Sequence, residues 1–169
     1  MKRVIINAIC AFVMMLIQSN FNSAFGVELM AHFALIAAVL CCVLAMPVTS
    51  SAISILILGI VCDLMVSGPP GFYALTLSIV FVITYLLMKR LRSDRIISLM
   101  LYTAIAAIIF ELLLTSGYCL IYRNWLYASI FVRHFLWNAL LTAGFTPIMM
   151  YLVRFLEHLF NRRKTSGLN

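Results

Sequence analysis

A chain of 169 residues that is 65% hydrophobic and 10% charged cannot clothe itself in a water-soluble surface, because soluble domains are about half apolar and a quarter charged. The composition is that of an integral membrane protein, with room for about six spans of ~20 residues each and little else. The net charge of +7 does not indicate nucleic acid, since the basic residues stand in short blocks beside apolar runs, where they orient spans and meet anionic headgroups.

The first apolar run follows Lys2 and Arg3 and extends from Val4 to Ile17. A secretory leader would start in the same way. Cleavage near Ser23 or Ala24 would place Phe21 or Asn22 where a small residue is needed, so the run reads as an uncleaved first span. Further runs cover Leu29–Met46, closed by Pro47, then Ala52–Val66, Phe72–Met88 and Ile96–Ile121. A last span follows the polar break at Tyr122–Trp125. The expected bundle is all-α, one transmembrane domain over residues 1–160 with a polar tail at 161–169. Its spans fall at residues 4–22, 29–46, 51–66, 72–88, 96–121 and 132–155. The stretch Asn124–Val132 fits either an interfacial helix or a re-entrant piece.

Basic residues mark the cytoplasmic side. With six spans, the N-terminal pair, the Lys89–Arg95 loop and the C-terminal Arg154, Arg162, Arg163 and Lys164 all fall on one face. Only Arg123 and Arg133 fall on the other. Both termini are therefore expected in the cytoplasm, and the Ser67–Gly71 turn on the outer side. Tyr118, Tyr122, Trp125, Tyr127 and Trp137 cluster at the outer boundary, where such rings prefer the headgroup level.

Charges inside spans are costly and usually face protein or water. Asp63, near the outer end of span three, and Glu111, in the outer half of span five, are such charges. Each could be neutralised by a neighbouring helix or could serve a partner or ligand. No chain of acids crosses the membrane, which disfavours proton transport. Ser51, Ile55, Gly59 and Asp63 share a helix face, as do Thr103, Ala107, Glu111 and Thr115. His134, Asn138, Thr142 and Thr146 form a polar band on span six, and Pro147 is expected to kink that span. Small residues on such faces allow close helix approach. The three faces are expected to converge in the outer half of the bundle, with Arg133 as counter-charge for Glu111 or Asp63. Asp63 could equally be held by a helix N-terminus. His32 and His158 lack cysteine or carboxylate partners at metal spacing. The five cysteines fit neither a zinc site nor a disulfide framework and read as small buried hydrophobes. No nucleophile motif, phosphate loop or cofactor fingerprint is present, so no cofactor is implied and an enzyme is not expected.

The stretch GIVCDLMVSGPPGFYAL, Gly59 to Leu75, carries a family resemblance. Gly59, Asp63, Ser67, Gly68, Pro69, Gly71, Ala74 and Leu75 resemble the signature of the bacterial rod shape-determining MreD family, with Pro70 where that family tends to have leucine and Cys62 an unusual neighbour for the aspartate. Chain length, basic start, six spans and the basic loop after span four match that family's layout. The resemblance implies a non-catalytic inner-membrane subunit of the elongation machinery, partner to an MreC-like protein and through it to MreB, RodA and a penicillin-binding transpeptidase. It also implies a fold similar to the substrate-binding subunits of energy-coupling-factor transporters. That likeness supplies the alternative, a small-molecule-binding subunit with an outer pocket. Gly59, Asp63, Gly71, Glu111, Arg133, His134 and Asn138 are the candidate interaction or pocket residues.

Overall fold

The computed structural model describes residues 2–25, 32–44, 46–65, 69–90, 96–123 and 126–165, and their side chains apart from those of 2, 21–25, 89–90, 126–135 and 160–165. These residues form six helices and no strand: α1 (Lys2–Phe25), α2 (Phe33–Val43), α3 (Val48–Met65), α4 (Phe72–Arg90), α5 (Ile96–Tyr122) and α6 (Leu126–Thr165). Four of them contain apolar stretches long enough to cross a membrane: Arg3–Asn20, Val48–Met65, Ile96–Tyr122 and Leu136–Leu159. Helices suit this composition because each satisfies its own backbone hydrogen bonds without water.

The second apolar run yields a helix shorter than its sequence suggests. At 11 residues, α2 spans only about 16 Å at 1.5 Å per residue. Every residue from Phe33 to Cys41 is buried. It contacts all five other helices, as an all-round apolar helix must when protein rather than lipid surrounds it. Ala34, Ala37 and Ala38 keep it narrow enough for neighbours on every side. Asn7 on α1 anchors it by donating to the Ala37 carbonyl at 2.9 Å. Beyond Leu44 the chain turns at Pro47, whose carbonyl accepts the Ser51 amide at 3.0 Å and starts α3.

The outer helices are apolar on both sides, as lipid exposure requires. Ile53, Leu56, Ile57 and Ile60 on α3 and Leu136, Leu140 and Tyr151 on α6 are exposed. The polar bands turn the other way. Ser51, Thr103, Glu111, Asn138, Thr142 and Thr146 are all buried. Several satisfy themselves along their own helix: Thr103 donates to the Leu99 carbonyl, Thr142 to that of Asn138 and Thr146 to that of Thr142. The sixth helix starts at Leu126 and continues through Pro147 to Thr165. The stretch after Trp125 is therefore the opening of α6 and not a separate re-entrant piece.

Arg3 Nε lies 3.1 Å from Glu157 Oε1, so the start of α1 and the last part of α6 meet at one end of the bundle.

Candidate functional site

Two linked arrangements occupy the opposite end, and the Gly59–Leu75 stretch builds the first. Helix α4 starts at Phe72, and the next two amides, those of Tyr73 and Ala74, lie in the first turn, where a helix supplies no carbonyl of its own. Asp63, almost at the end of α3, supplies both missing acceptors. Its Oδ1 accepts the Tyr73 amide at 2.8 Å and its Oδ2 the Ala74 amide at 3.0 Å. A carboxylate at this place also meets the positive end of the helix dipole. Asp63 thus caps a helix from a different helix, locking the α3–α4 hairpin.

The cap requires close approach, and Gly59 permits it. One turn before Asp63, a Cβ at Gly59 would stand 2.5 Å from the Ala74 Cα. The turn itself uses Gly71 at φ +81°, a region that side chains resist. The Pro69 carbonyl accepts the Phe72 amide at 3.2 Å, which closes the loop. Gly59, Asp63, Gly71 and Ala74 therefore serve one device: contact, cap, turn and contact partner. Leu75 points outward and is 57% exposed. Ser67 and Gly68 lie outside the described residues.

The second arrangement is a polar hub among α2, α4, α5 and α6. Glu111 Oε1 lies 3.0 Å from His32 Nε2 and accepts from Asn138 Nδ2 at 2.7 Å. His32 Nδ1 lies 3.2 Å from the Tyr73 hydroxyl. The His32 backbone amide donates to Thr142 Oγ1 at 3.3 Å. The neutral His32 tautomer with its proton on Nε2 satisfies both ring contacts, donating to Glu111 and accepting from Tyr73. Phe110 packs edge-on to both rings, with centroids 5.0 Å away in each case. Tyr73 joins the two arrangements, with its amide on Asp63 and its hydroxyl on His32.

Of the sequence candidates, Glu111 and Asn138 meet directly, and Gly59, Asp63 and Gly71 make the hairpin. The side chains of Arg133 and His134 lie outside the described residues. Among the described residues, the donors to Asp63 are two backbone amides, and Glu111 Oε1 meets His32 Nε2 and accepts from Asn138 Nδ2. His32 and Tyr73 were not among the candidates. Metal spacing is the wrong criterion for His32, because its carboxylate partner lies 79 residues away in sequence. Its only sequence signal is an imidazole at the start of an apolar run. Among the described residues, no group of three or more His, Cys, Asp or Glu side chains could hold a metal.

Asp63→Leu should leave membrane insertion intact and strip α4 of its cap. The expected cost is about 1–2 kcal/mol, the upper half of the range for losing a capping side chain. Hydrogen exchange at the Tyr73 and Ala74 amides should accelerate while that of α5 stays unchanged. Unaltered exchange at those two amides would show that the cap carries no weight.

No curated protein and no solved structure matches the chain. The family model described as rod shape-determining protein MreD matches residues 2–156. That match takes in the Gly59–Leu75 device, the polar hub and nearly the whole bundle, and the chain belongs to the MreD family of rod shape-determining membrane proteins.

Proposed function

We infer that the chain is a non-catalytic scaffold of the bacterial elongation complex, set in the inner membrane with both termini in the cytoplasm. It engages an MreC-like protein directly. Through that protein it reaches MreB filaments, RodA and a penicillin-binding transpeptidase, and so helps direct lateral peptidoglycan synthesis. The observation that carries this reading is the family match over residues 2–156, and the signature stretch within it builds a packing device. Asp63 spends both carboxylate oxygens on α4 amides, as a fixed structural element would. The positive-inside distribution supports the orientation, and so does the Arg3–Glu157 pair, which brings the two ends of the chain to one side.

The polar hub favours one second reading, a ligand-binding subunit similar in fold to those of energy-coupling-factor transporters. Four helices direct polar groups to one place there. Those groups are engaged with one another, however, which weighs toward a structural hub.

Depletion in a rod-shaped host should round the cells, and the intact chain should restore rods. A tagged copy should also co-purify with the host's MreC-like protein. Cells that keep their shape on depletion would end the scaffold reading, and uptake defects for a vitamin without a shape change would favour the transporter.

A further inference from the structure

Helix α6 carries a cationic face that neither the hairpin nor the hub uses. Its apolar stretch runs from Leu136 to Leu159, and the helix continues to Thr165, about 9 Å further at 1.5 Å per residue. Met149 and Val153 turn inward and are fully buried. Tyr151, Arg154, Phe155 and His158 point away from that core and are exposed. Spacings of three and four residues put them on one side of the helix. The Tyr151 and Phe155 rings stack there, with centroids 6.4 Å apart and planes 13° from parallel. Exposed Ile148 extends this apolar strip toward the middle of the bundle. In the other direction the same spacing reaches Arg162, and Arg163 and Lys164 follow in the last turn of the helix.

The level of Arg154 selects what it meets. It stands five residues before Leu159, the end of the apolar stretch, which is about 7 Å along the helix. An arginine at that depth keeps its stem among lipid chains and turns its guanidinium up to the headgroups. A water-soluble acidic protein does not reach a side chain flanked by exposed Tyr151, Phe155 and Leu159 on a lipid-facing surface. A phosphodiester in the headgroup layer does, and a guanidinium takes its oxygens two at a time. His158, one turn nearer the end of the helix, adds a ring N–H. The positive charge is not cancelled on the spot. Glu157 is the only acid in α6, and Arg3 engages it at 3.1 Å. Among the described residues no acid pairs with Arg154. Such a face favours a lipid of net negative charge over a zwitterionic one, whose own ammonium accompanies the phosphate.

We propose that this face of α6 binds one anionic phospholipid, its phosphate on Arg154 and His158 and an acyl chain along Phe155, Tyr151 and Ile148. The lipid belongs to the leaflet on the side where Arg3 and Glu157 meet. Only the naming of that leaflet as cytoplasmic rests on the orientation above.

The test is native mass spectrometry of the purified full chain, titrated in detergent with phosphatidylglycerol or phosphatidylcholine. The wild type should retain one phosphatidylglycerol in preference to phosphatidylcholine. Arg154→Gln should lower phosphatidylglycerol retention about fivefold, the effect of one cation near the headgroups, and leave phosphatidylcholine unchanged. Arg123→Gln, at the opposite end of the bundle, should change neither. An excess of inorganic phosphate should leave the lipid adduct in place. Helical circular dichroism shows whether each variant folds. Should Arg154→Gln fail to fold, a fluorophore on Phe155→Cys in the otherwise native chain replaces it. It should be quenched more by phosphatidylglycerol with a brominated chain than by its phosphatidylcholine equivalent. Equal retention or quenching by the two lipids, full retention by Arg154→Gln, or an equal loss in Arg123→Gln would overturn the proposal and indicate ordinary boundary lipid. Displacement by inorganic phosphate would overturn it in favour of a free anion. A dimer mass lost in Arg154→Gln, or cross-linking of Phe155→Cys to another protein in cells, would overturn it in favour of a second copy or a partner. Cell shape enters none of these readouts, so their failure is separable from failure of the scaffold reading.

Discussion

Gly59→Ala protein is expected to lose about 1–3 kcal/mol of stability, the usual cost of forcing extra methyl groups into a packed site. Space at Gly59 is limited by backbone. The new Cβ would come within 2.5 Å of the Ala74 Cα and 3.0 Å of its Cβ. Neither atom can rotate away, so α3 and α4 must separate. Separation draws Asp63 away from the Tyr73 and Ala74 amides and loosens the cap together with the contact. Two other glycines calibrate the result. At Gly117 the new Cβ would meet the Phe72 ring at 2.0 Å, but a ring can turn, and a smaller loss is expected. At Gly144 nothing lies within 4 Å, so alanine there should be neutral or stabilising by up to ~1 kcal/mol through helix propensity. Thermal unfolding of the three variants in nanodiscs should rank them Gly59→Ala least stable, then Gly117→Ala, then Gly144→Ala. A Gly59→Ala protein as stable as Gly144→Ala would refute the close-contact account, and complementation of rod shape by the same variants would show whether the hairpin matters to assembly.

Glu111→Leu should be the other costly change. One carboxylate oxygen serves His32 Nε2 and Asn138 Nδ2. Its removal orphans two donors, and a buried unsatisfied group costs about 1–3 kcal/mol. Individual hydrogen bonds between membrane helices average only ~0.6 kcal/mol, so the loss should come from the stranded donors more than from the bonds. We expect a loss of about 2–4 kcal/mol for Glu111→Leu. Glu111→Gln keeps one carbonyl oxygen that can accept from both donors but gives up the carboxylate charge, and should cost about 1 kcal/mol. A double-mutant cycle between His32→Ala and Glu111→Gln, read by the same unfolding assay, should give a coupling of about 0.5–3 kcal/mol. Additive losses would show that the 3.0 Å contact carries no energy. Because Tyr73 bonds both His32 and Asp63, Tyr73→Phe should lower the coupling and leave the α4 cap in place.

Several features needed nothing but the order of residues. Hydropathy assigns the chain to a membrane because an apolar surface has no other stable solvent. Residues four apart share a helix face, so the burial of Ser51, Thr103, Glu111, Asn138 and Thr142 could be read from spacing alone. Prolines and glycines pointed to the turn described at Pro69–Gly71. The partners were a different matter. Periodicity states which face of a helix turns inward and is silent about which helix it meets. His32 and Glu111 lie far apart in sequence, and their pairing exists only once α2 is enclosed by the other helices. For Asp63 a counter-charge was one possible holder. A helix N-terminus was the other holder its position allowed, and only the fold shows that this is the start of α4, whose Tyr73 and Ala74 amides meet its two oxygens. Gly59 had been read as a residue that lets helices come close, and the Ala74 backbone that makes it necessary stands across the hairpin. Even the length of α2 belongs to this second class, because a helix that protein rather than lipid surrounds need not match the thickness of a bilayer.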